Sequence, residues 1–411
     1  MGLEPAVTSI KEMMVPGAEG SPAEDSPVEV SIVMPCLNEA DTLGTCIVKA
    51  RTALDEHHIR GEIIIADNGS TDESAVIAER MGARVVHVEA KGYGNALMGG
   101  IAAARGRFIV MGDADDSYDF LEIHPFVEKL RAGYELVQGC RLPSGGGKIM
   151  PGAMPFLHRW WGNPMFSAMI RRWFKAKSIH DVYCGMRGFT KGFYDRVNLR
   201  CTGMEFATEM IIKASLFRES MAEVPITLCK DGRKSHAPHL KTFRDGWRTL
   251  RFFLMYSPRW LFVEPGALLI LLGLLGYIIV MPGTELWGVS FDAHTLLIAS
   301  LAILCGYQSI LFALFTKTFA IGEGLVPEDP FTMRFFRIAT LERGIFVALG
   351  ALLLGIVLLL VAVNQWRLTH FGRLDYADTM RLVVPGVTLT ALGFQTILSS
   401  FFVSILGMRR R

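Results

Sequence analysis

Arg107-Phe108-Ile109-Val110-Met111 runs straight into Gly112-Asp113-Ala114-Asp115-Asp116-Ser117, and this junction decides the fold. The apolar half has the length of a buried strand. The acidic half therefore sits where a parallel strand ends, which is where open α/β sheets take their ligands. Three carboxylates within four residues repel one another. A hard divalent cation such as Mg²⁺ or Mn²⁺ relieves that repulsion through oxygen ligands, with substrate phosphates completing its shell. An acidic loop capping the next helix is the other reading of the same residues.

Outward from the junction, the stretch from Val28 to Gly139 alternates strands with helical segments. Val30–Met34 reads as a strand that breaks at Pro35, after which Asn38–Asp41 starts a helix. Glu62–Ala66, Arg84–Val88 and Tyr134–Gln138 read as further strands. Such alternation predicts right-handed crossovers and a parallel sheet, with the polar ends of the first, second and fourth strands along one edge. In Asp67-Asn-Gly-Ser-Thr-Asp72, Ser70 or Thr71 is expected to cap the next helix, and Asp67 is a candidate ligand at a strand end. Lys91-Gly-Tyr-Gly-Asn95 is a glycine-rich loop opening a helix, where backbone N–H groups could approach a phosphate.

The chain of 411 residues is too long for one ordinary domain, and 51% hydrophobic residues with a mean hydropathy of +0.32 is high for a soluble protein. The net charge of +2 hides an asymmetry. Val28 to Cys140 holds 10 Lys and Arg against 18 Asp and Glu, whereas Arg141 to Arg251 holds 20 against 8. The acidic half suits a cation; the basic half suits phosphates or an anionic membrane surface. Nucleic acid is not expected as a partner, because apolar spans follow the basic half. The seven scattered cysteines show no CxxC spacing, which argues against a zinc site and for a reducing compartment. Residues 1–27 read as a disordered tail, with neither a signal peptide nor a myristoylation motif.

Pro35-x-x-Asn38-Glu39, Asp67-Asn-Gly-Ser-Thr-Asp72, Gly112-Asp-Ala-Asp115 and Gly139-Cys-Arg141, in that order, resemble the family 2 glycosyltransferases of GT-A fold. The likeness is to the branch of dolichol- and polyprenyl-phosphate mannose or glucose synthases and runs from Val28 to about Trp260. It implies an α/β, mostly parallel catalytic domain. Pro35, Asn38, Glu39 and Asp67 would bind the nucleotide, and Asp113 and Asp115 would hold Mg²⁺ or Mn²⁺ on the donor diphosphate; Lys91, from its place in the glycine-rich loop, is a further candidate for binding the nucleotide sugar. At Ser117 the synthases commonly carry Gln as a further metal ligand. That departure favours UDP-glucose over GDP-mannose as donor and leaves Ser117 a weaker ligand. The resemblance also implies an acceptor-phosphate site at Arg141, Arg159 and Asn163, which suits arginine's planar fork. It places Asp181 near the sugar, orienting a hydroxyl or an arginine. Lys230-Asp-Gly-Arg233-Lys-Ser-His236 resembles a basic loop that closes over the diphosphate, with Arg233 in it.

Residues 156–177 combine Trp160, Trp161, Phe166, Met169, Ile170, Trp173 and Phe174 on one side with Arg171, Arg172, Lys175 and Lys177 as flanks. That pattern describes a helix lying in a membrane interface; a packed core helix is the alternative. Glu205 and Glu209 share a helix face as acid–base partners or as ion-pair formers. The expected domains are the catalytic domain at 28–240, a juxtamembrane interfacial helix at 241–260 and a membrane domain at 261–411. The last has four spans near Phe262–Met281, Leu296–Phe315, Ile345–Val363 and Leu382–Leu406. The 282–294 link has no Lys or Arg, while the 317–343 loop has four and the chain ends in three arginines, so the catalytic domain and C-terminus are expected in the cytoplasm.

These readings predict metal-dependent, inverting transfer of a hexose from a nucleotide sugar to a polyprenyl phosphate. The alternatives are transfer to another lipid or to a polysaccharide, and a lipid translocase or scaffold with a degenerate transferase domain. The oligomeric state is open, a homo-oligomer included.

Overall fold

β1 (Val30–Cys36) is buried on both faces, with Ile32, Val33 and Met34 fully inaccessible. A strand so uniformly apolar belongs at the centre of a sheet covered by helices on both sides. In this computed structural model, which describes residues 28–233, 242–283, 285–286, 289–328, 330, 334 and 340–407, β1 holds that place. It pairs in parallel with β2 (Gly61–Asp67) and β4 (Phe108–Met111), and β2 pairs in parallel with β3 (Arg84–His87). The crossovers are α1 (Leu43–Glu56), α2 (Ser74–Arg80) and α3 (Tyr93–Ala103). Then come α4 (His124–Arg131), β5 (Leu136–Cys140), the short β6 (Lys148–Ile149), α5 (Asn163–Trp173) and β7 (Arg187–Thr190). The domain continues through α6 (Lys191–Val197), α7 (Glu205–Leu216), β8 (Met221–Pro225) and the short β9 (Thr227–Leu228).

The seven-stranded sheet runs β3-β2-β1-β4-β7-β5-β8. It is mostly parallel. The exception is β7, which lies antiparallel between β4 and β5 and which the strand pattern of the sequence did not show. β1 also continues through Pro35 to Cys36 instead of breaking. Beyond the Val33–Met111 pair, β4 no longer flanks β1, so the missing N–H of Pro35 leaves no ladder partner wanting on that side. The helix expected from Asn38 starts only at Leu43, because Asn38 itself sits in the left-handed region at φ 60°.

Thus β1 and β2 end together at Cys36 and Asp67, β4 stops at Met111 opposite Val33, and the acidic cluster follows it on the same edge of the sheet. One core fills the α1 side of the sheet. The other lies on the α3 and α7 side and reaches Phe252 and Phe253 of α8 (Thr242–Tyr256).

Among the described residues, four helical segments are long and apolar enough to cross a bilayer: Arg259–Val280, Ala293–Gly322, Leu341–Leu368 and Tyr376–Leu406. They contain α9 (Glu264–Val280), α10 (Ala293–Gly322), α11 (Leu341–Leu368) and α12 (Tyr376–Leu406). Most exceed the expected spans, since helical hydrogen bonding continues after the apolar stretch ends. At ~1.5 Å per residue, the 30 residues of α10 outrun a hydrocarbon core of ~30 Å. Gly266 and Gly306 bring α9 and α10 together; a Cβ at either would lie within 2.8 Å of the other's carbonyl oxygen.

The amphipathic stretch at 156–177 does not present one apolar side. Phe166, Ile170 and Phe174 are buried, and Phe166 and Phe174 pack edge-on to Phe253 of α8 with centroids 5.7 and 6.2 Å apart. Trp160 and Trp161 instead stand out at 61% and 70% exposure, with Phe156, Leu157 and Met165 also exposed. Trp173 stacks at 5.4 Å on Trp260, at the head of the first span. The tail at 1–27, the loop residues Lys234–His236 and the terminal arginines lie outside the described residues.

Candidate active site

The loops after β1 and β2 are stitched together. The Asn38 N–H donates to Ser70 Oγ (3.0 Å) and its Oδ1 accepts from the Thr71 N–H (2.8 Å), while the Glu39 N–H donates to Ser74 Oγ (2.9 Å). The N-cap of α2 is Glu73, without a side-chain capping bond; Asp72, just before it, accepts from the Ser74 N–H, and the cap expected of Ser70 or Thr71 is not formed. Asp67 accepts from the Ser70 N–H (2.9 Å) and faces His87 Nδ1 at 3.0 Å. Burial works against its charge, but the Ser70 and His87 bonds outweigh it and hold the carboxyl below its ordinary range. Lys91 Nζ donates to the Asn68 carbonyl at 2.7 Å, so Lys91 and Asp67 belong to one loop cluster beside Pro35.

The acidic cluster divides. Asp116 turns away in a left-handed conformation and pairs with Lys49 at 2.8 Å. Asp113 and Asp115 remain. Asp113 Oδ1 accepts from Tyr93 Oη at 2.8 Å, and burial together with the Asp115 charge pushes its pKa up to about 6. Asp115 Oδ1 accepts from the Ser117 N–H and hydroxyl at 3.0 and 2.5 Å, so Ser117 orients Asp115. Asp115 Oδ2 faces Arg233 Nη1 at 3.3 Å, and Arg233 also grips the Glu39 carboxylate with Nε and Nη2. Glu39 and Arg233 are therefore partners, and the 229–233 segment is tied to the cluster by Cys229 N–H to Ser117 O and Gly232 N–H to Asp115 O.

Among the described residues no three His, Cys, Asp or Glu side chains converge on one point. Mg²⁺ commonly takes only one or two carboxylates plus substrate phosphates, and the oxygen-only Asp113–Asp115 pair fits that demand. The raised Asp113 pKa reflects its burial and, after that, the Asp115 charge beside it, and a bound dication would offset both.

Across the cleft, Arg141 is buried and paired. Its backbone N–H, Nε and Nη2 all donate to the fully buried Asp181, at 3.0, 2.7 and 2.9 Å, and Nη1 lies 3.4 Å from Tyr118 Oη. Of the two roles expected for Asp181, it fills that of orienting an arginine. Burial opposes the Arg141 charge, and the Asp181 carboxylate more than offsets it. Behind them Glu223 accepts from the N–H groups of His180 and Asp181 at 2.7 and 3.0 Å and meets His180 Nδ1 at 2.7 Å.

Arg159 and Asn163 sit apart from this cluster in contact terms. The Arg159 guanidinium lies 5.4 Å from the Trp160 ring, with no carboxylate in ion-pair reach among the described residues. Asn163 opens α5, is buried, and points Nδ2 at Met154 Sδ (3.4 Å). Glu205 and Glu209 form ion pairs, with Arg248 and with Lys213. Tyr93, Tyr118 and Glu223 escaped the sequence reading. Tyr93 could have been noticed inside the glycine-rich loop; Glu223 lies 42 residues from Asp181 with nothing local to mark it.

Residues 31–197 match the family described as Glycosyl transferase family 2, and residues 314–407 match the Glycosyltransferase family 2 C-terminal transmembrane region. The chain is 35% identical to the low-salt glycan biosynthesis hexosyltransferase Agl6 of Haloferax volcanii, over 92% of this chain and 89% of that protein. A dolichyl-phosphate hexose transferase of the same organism is 30% identical over 48% of this chain and 82% of its own length. Among solved structures, glucosyl-3-phosphoglycerate synthase of Mycobacterium tuberculosis aligns at 20% identity and a TM-score of 0.44, over 56% of this chain and 80% of that one, a likeness too loose to carry functional weight. A mostly parallel GT-A-like domain joined to a transmembrane bundle, with these relatives, defines a membrane-bound glycosyltransferase. The chain belongs to glycosyltransferase family 2.

Proposed function

We propose that this enzyme transfers a hexose from a nucleotide-diphosphate sugar to a polyprenyl or dolichyl phosphate at the cytoplasmic membrane face, with inversion. The observation that carries the reading is Arg159: a guanidinium without a carboxylate partner among the described residues, set among the exposed Phe156, Leu157, Trp160 and Trp161. Aromatic side chains with basic neighbours suit the headgroup layer of a bilayer, and an unpaired arginine there suits an arriving phosphate. The name of the Haloferax dolichyl-phosphate hexose transferase and that of a 30% identical undecaprenyl-phosphate 4-deoxy-4-formamido-L-arabinose transferase of Klebsiella pneumoniae support the same acceptor class, and the name of Agl6 supports a hexose as the group transferred.

In this reading the domain at 28–240 binds the donor, α8 seats it on the membrane, and 261–411 anchors it. The positive-inside bias of the loops supports a cytoplasmic position for the domain. Pro35, Asn38, Glu39, Asp67 and Lys91 frame the nucleotide. Asp113 and Asp115 would hold Mg²⁺ or Mn²⁺, which supplies charge neutralisation for the departing nucleoside diphosphate. Arg233 exchanges its grip on Glu39 and Asp115 for the donor's diphosphate.

The acceptor is a phosphate monoester with a second pKa of about 6, mostly dianionic at neutral pH. It needs no strong general base, and the chain's work is alignment and charge placement. Arg159 draws the phosphate in, and Arg141, locked by Asp181, presents its remaining Nη1 edge. One displacement at the anomeric carbon turns an α-linked donor into a β-linked lipid phosphate. Calorimetric titration of the full chain with UDP-glucose and then GDP-mannose, with Mn²⁺ present, tests the donor half. Binding of either supports the reading, and binding of no nucleotide sugar would leave a translocase or scaffold in its place.

A further inference from the structure

Glu209 is fully buried and has no place in the chemistry above, yet it is the most heavily bonded carboxylate on the α7 side of the domain. Its Oε2 accepts from the N–H groups of Arg200 and Cys201 at 2.9 and 2.8 Å. Its Oε1 meets Lys213 Nζ at 3.0 Å and accepts from Tyr256 Oη of α8 at 2.9 Å. Arg200 Nη2 in turn donates to the Glu323 carbonyl at the end of α10, at 3.1 Å. The short segment Arg200–Thr202 is thus held by Glu209, itself bonded to Tyr256 of the juxtamembrane helix α8, and by the end of the membrane helix α10.

The same segment presses on the glycine-rich loop. A Cβ at Gly94 would lie 2.3 Å from the Cys201 carbonyl oxygen, and one at Gly92, whose φ is +134°, would lie 2.4 Å from that of Thr202. The Asn95 N–H donates to the same Thr202 carbonyl at 3.2 Å. These glycines admit a backbone strut, and any side chain would force it out. Between them stands Tyr93, whose hydroxyl donates to Asp113 Oδ1 at 2.8 Å. Asp113 has little freedom on its other side, because Gly185 lies so close that a Cβ there would sit 2.7 Å from Asp113 Oδ2.

We infer that Tyr93 and Glu209 are positioning residues for the Asp113 carboxylate. Glu209 fixes the Arg200–Thr202 strut, the strut seats the Lys91–Asn95 loop, and Tyr93 on that loop aims Asp113. The cation site is thereby braced against the juxtamembrane helix α8 and the membrane helix α10, and its geometry depends on how the domain sits on them. The inference rests on the proposal that Asp113 and Asp115 hold a divalent cation. Partners that orient a metal ligand are commonly worth about ten- to a hundredfold in affinity.

The test is a titration of the full chain in lipid nanodiscs with Mn²⁺ alone, with free Mn²⁺ read by electron paramagnetic resonance. Glu209→Gln risks misfolding, so the variants are Tyr93→Phe and Tyr256→Phe, each lacking one hydroxyl. Tyr134→Phe, which touches none of this network, is the control. We expect about tenfold weaker Mn²⁺ binding in Tyr93→Phe, a smaller loss in Tyr256→Phe, none in Tyr134→Phe, and unchanged melting temperatures. Mn²⁺ affinity equal to wild type in both variants overturns the bracing while leaving the cation reading intact. Wild type binding Mn²⁺ no better than Asp115→Asn overturns the cation reading, and the bracing with it.

Discussion

Truncating Arg159 to alanine separates a lipid-phosphate acceptor from a hydroxyl acceptor. Arg159 is held by its 5.4 Å stacking on Trp160, a contact worth only ~0.5–1 kcal/mol at an exposed site, so the fold should survive the change. If the guanidinium binds the attacking phosphate, its loss removes a charge-assisted contact of about 1.5–3 kcal/mol. Transfer to polyprenyl phosphate should fall by about ten- to a hundredfold. Slow hydrolysis of the nucleotide sugar by water does not use that contact and should be unchanged. Arg159→Lys should recover only part of the loss, since an ammonium lacks the two-pronged fork. Both rates are to be measured in one detergent preparation of each variant. Equal loss of transfer and hydrolysis would assign Arg159 to the donor or the fold. An undiminished transfer rate would place the acceptor phosphate elsewhere and refute the reasoning.

Three further expectations follow from the geometry. Asp181→Asn leaves the Arg141 charge buried without its partner and should lower stability by about 3–5 kcal/mol in thermal or denaturant unfolding of the full chain; a change under about 1 kcal/mol would show that Arg141 finds relief in solvent. Asp115→Asn should abolish transfer while membrane insertion is unaffected, as judged by fractionation; turnover at the wild-type rate, undisturbed by EDTA, would remove the cation from the account. Glu29, bonded to Arg131 and Arg107, has its folded-state pKa held below the unfolded value of ~4.3. Its contribution is therefore full above that pH and is lost as pH falls through the lower folded value. The acid-side drop in melting temperature should be shallower in Glu29→Gln, and parallel curves would contradict the assignment.

Legibility in the sequence followed the range of the interactions. β1 and β4 could be read because apolar runs, broken only by Ser31 in β1, end abruptly in Asn38-Glu39 and in the acidic cluster, both local signals. β7 could not, because it begins with Arg187, whose buried guanidinium donates Nη1 and Nη2 to the carbonyls of Ala207 and Cys184 and leaves Nε without a partner. The pairing of Arg141 with Asp181 crosses 40 residues, and that of Arg233 with Glu39 crosses 194. Composition showed that such charges exist but not which would meet. The stretch from Phe156 to Lys177 was legible only in part, for a different reason. Its aromatics serve two partners, the core at Phe253 and the open surface at Trp160 and Trp161, and a helical stripe cannot say where one ends.

The central claim is transfer to a lipid phosphate, and one measurement addresses it directly. Purified full-length protein in lipid vesicles is given polyprenyl phosphate, Mg²⁺ or Mn²⁺ and labelled UDP-glucose or GDP-mannose, and the organic phase is analysed for sugar. The account predicts a labelled lipid in which the hexose is joined through phosphate with inverted anomeric configuration, formed by wild type and not by Asp115→Asn. Label that reaches only a hydroxyl-bearing lipid or polysaccharide, or that never leaves the nucleotide with any donor, would contradict it.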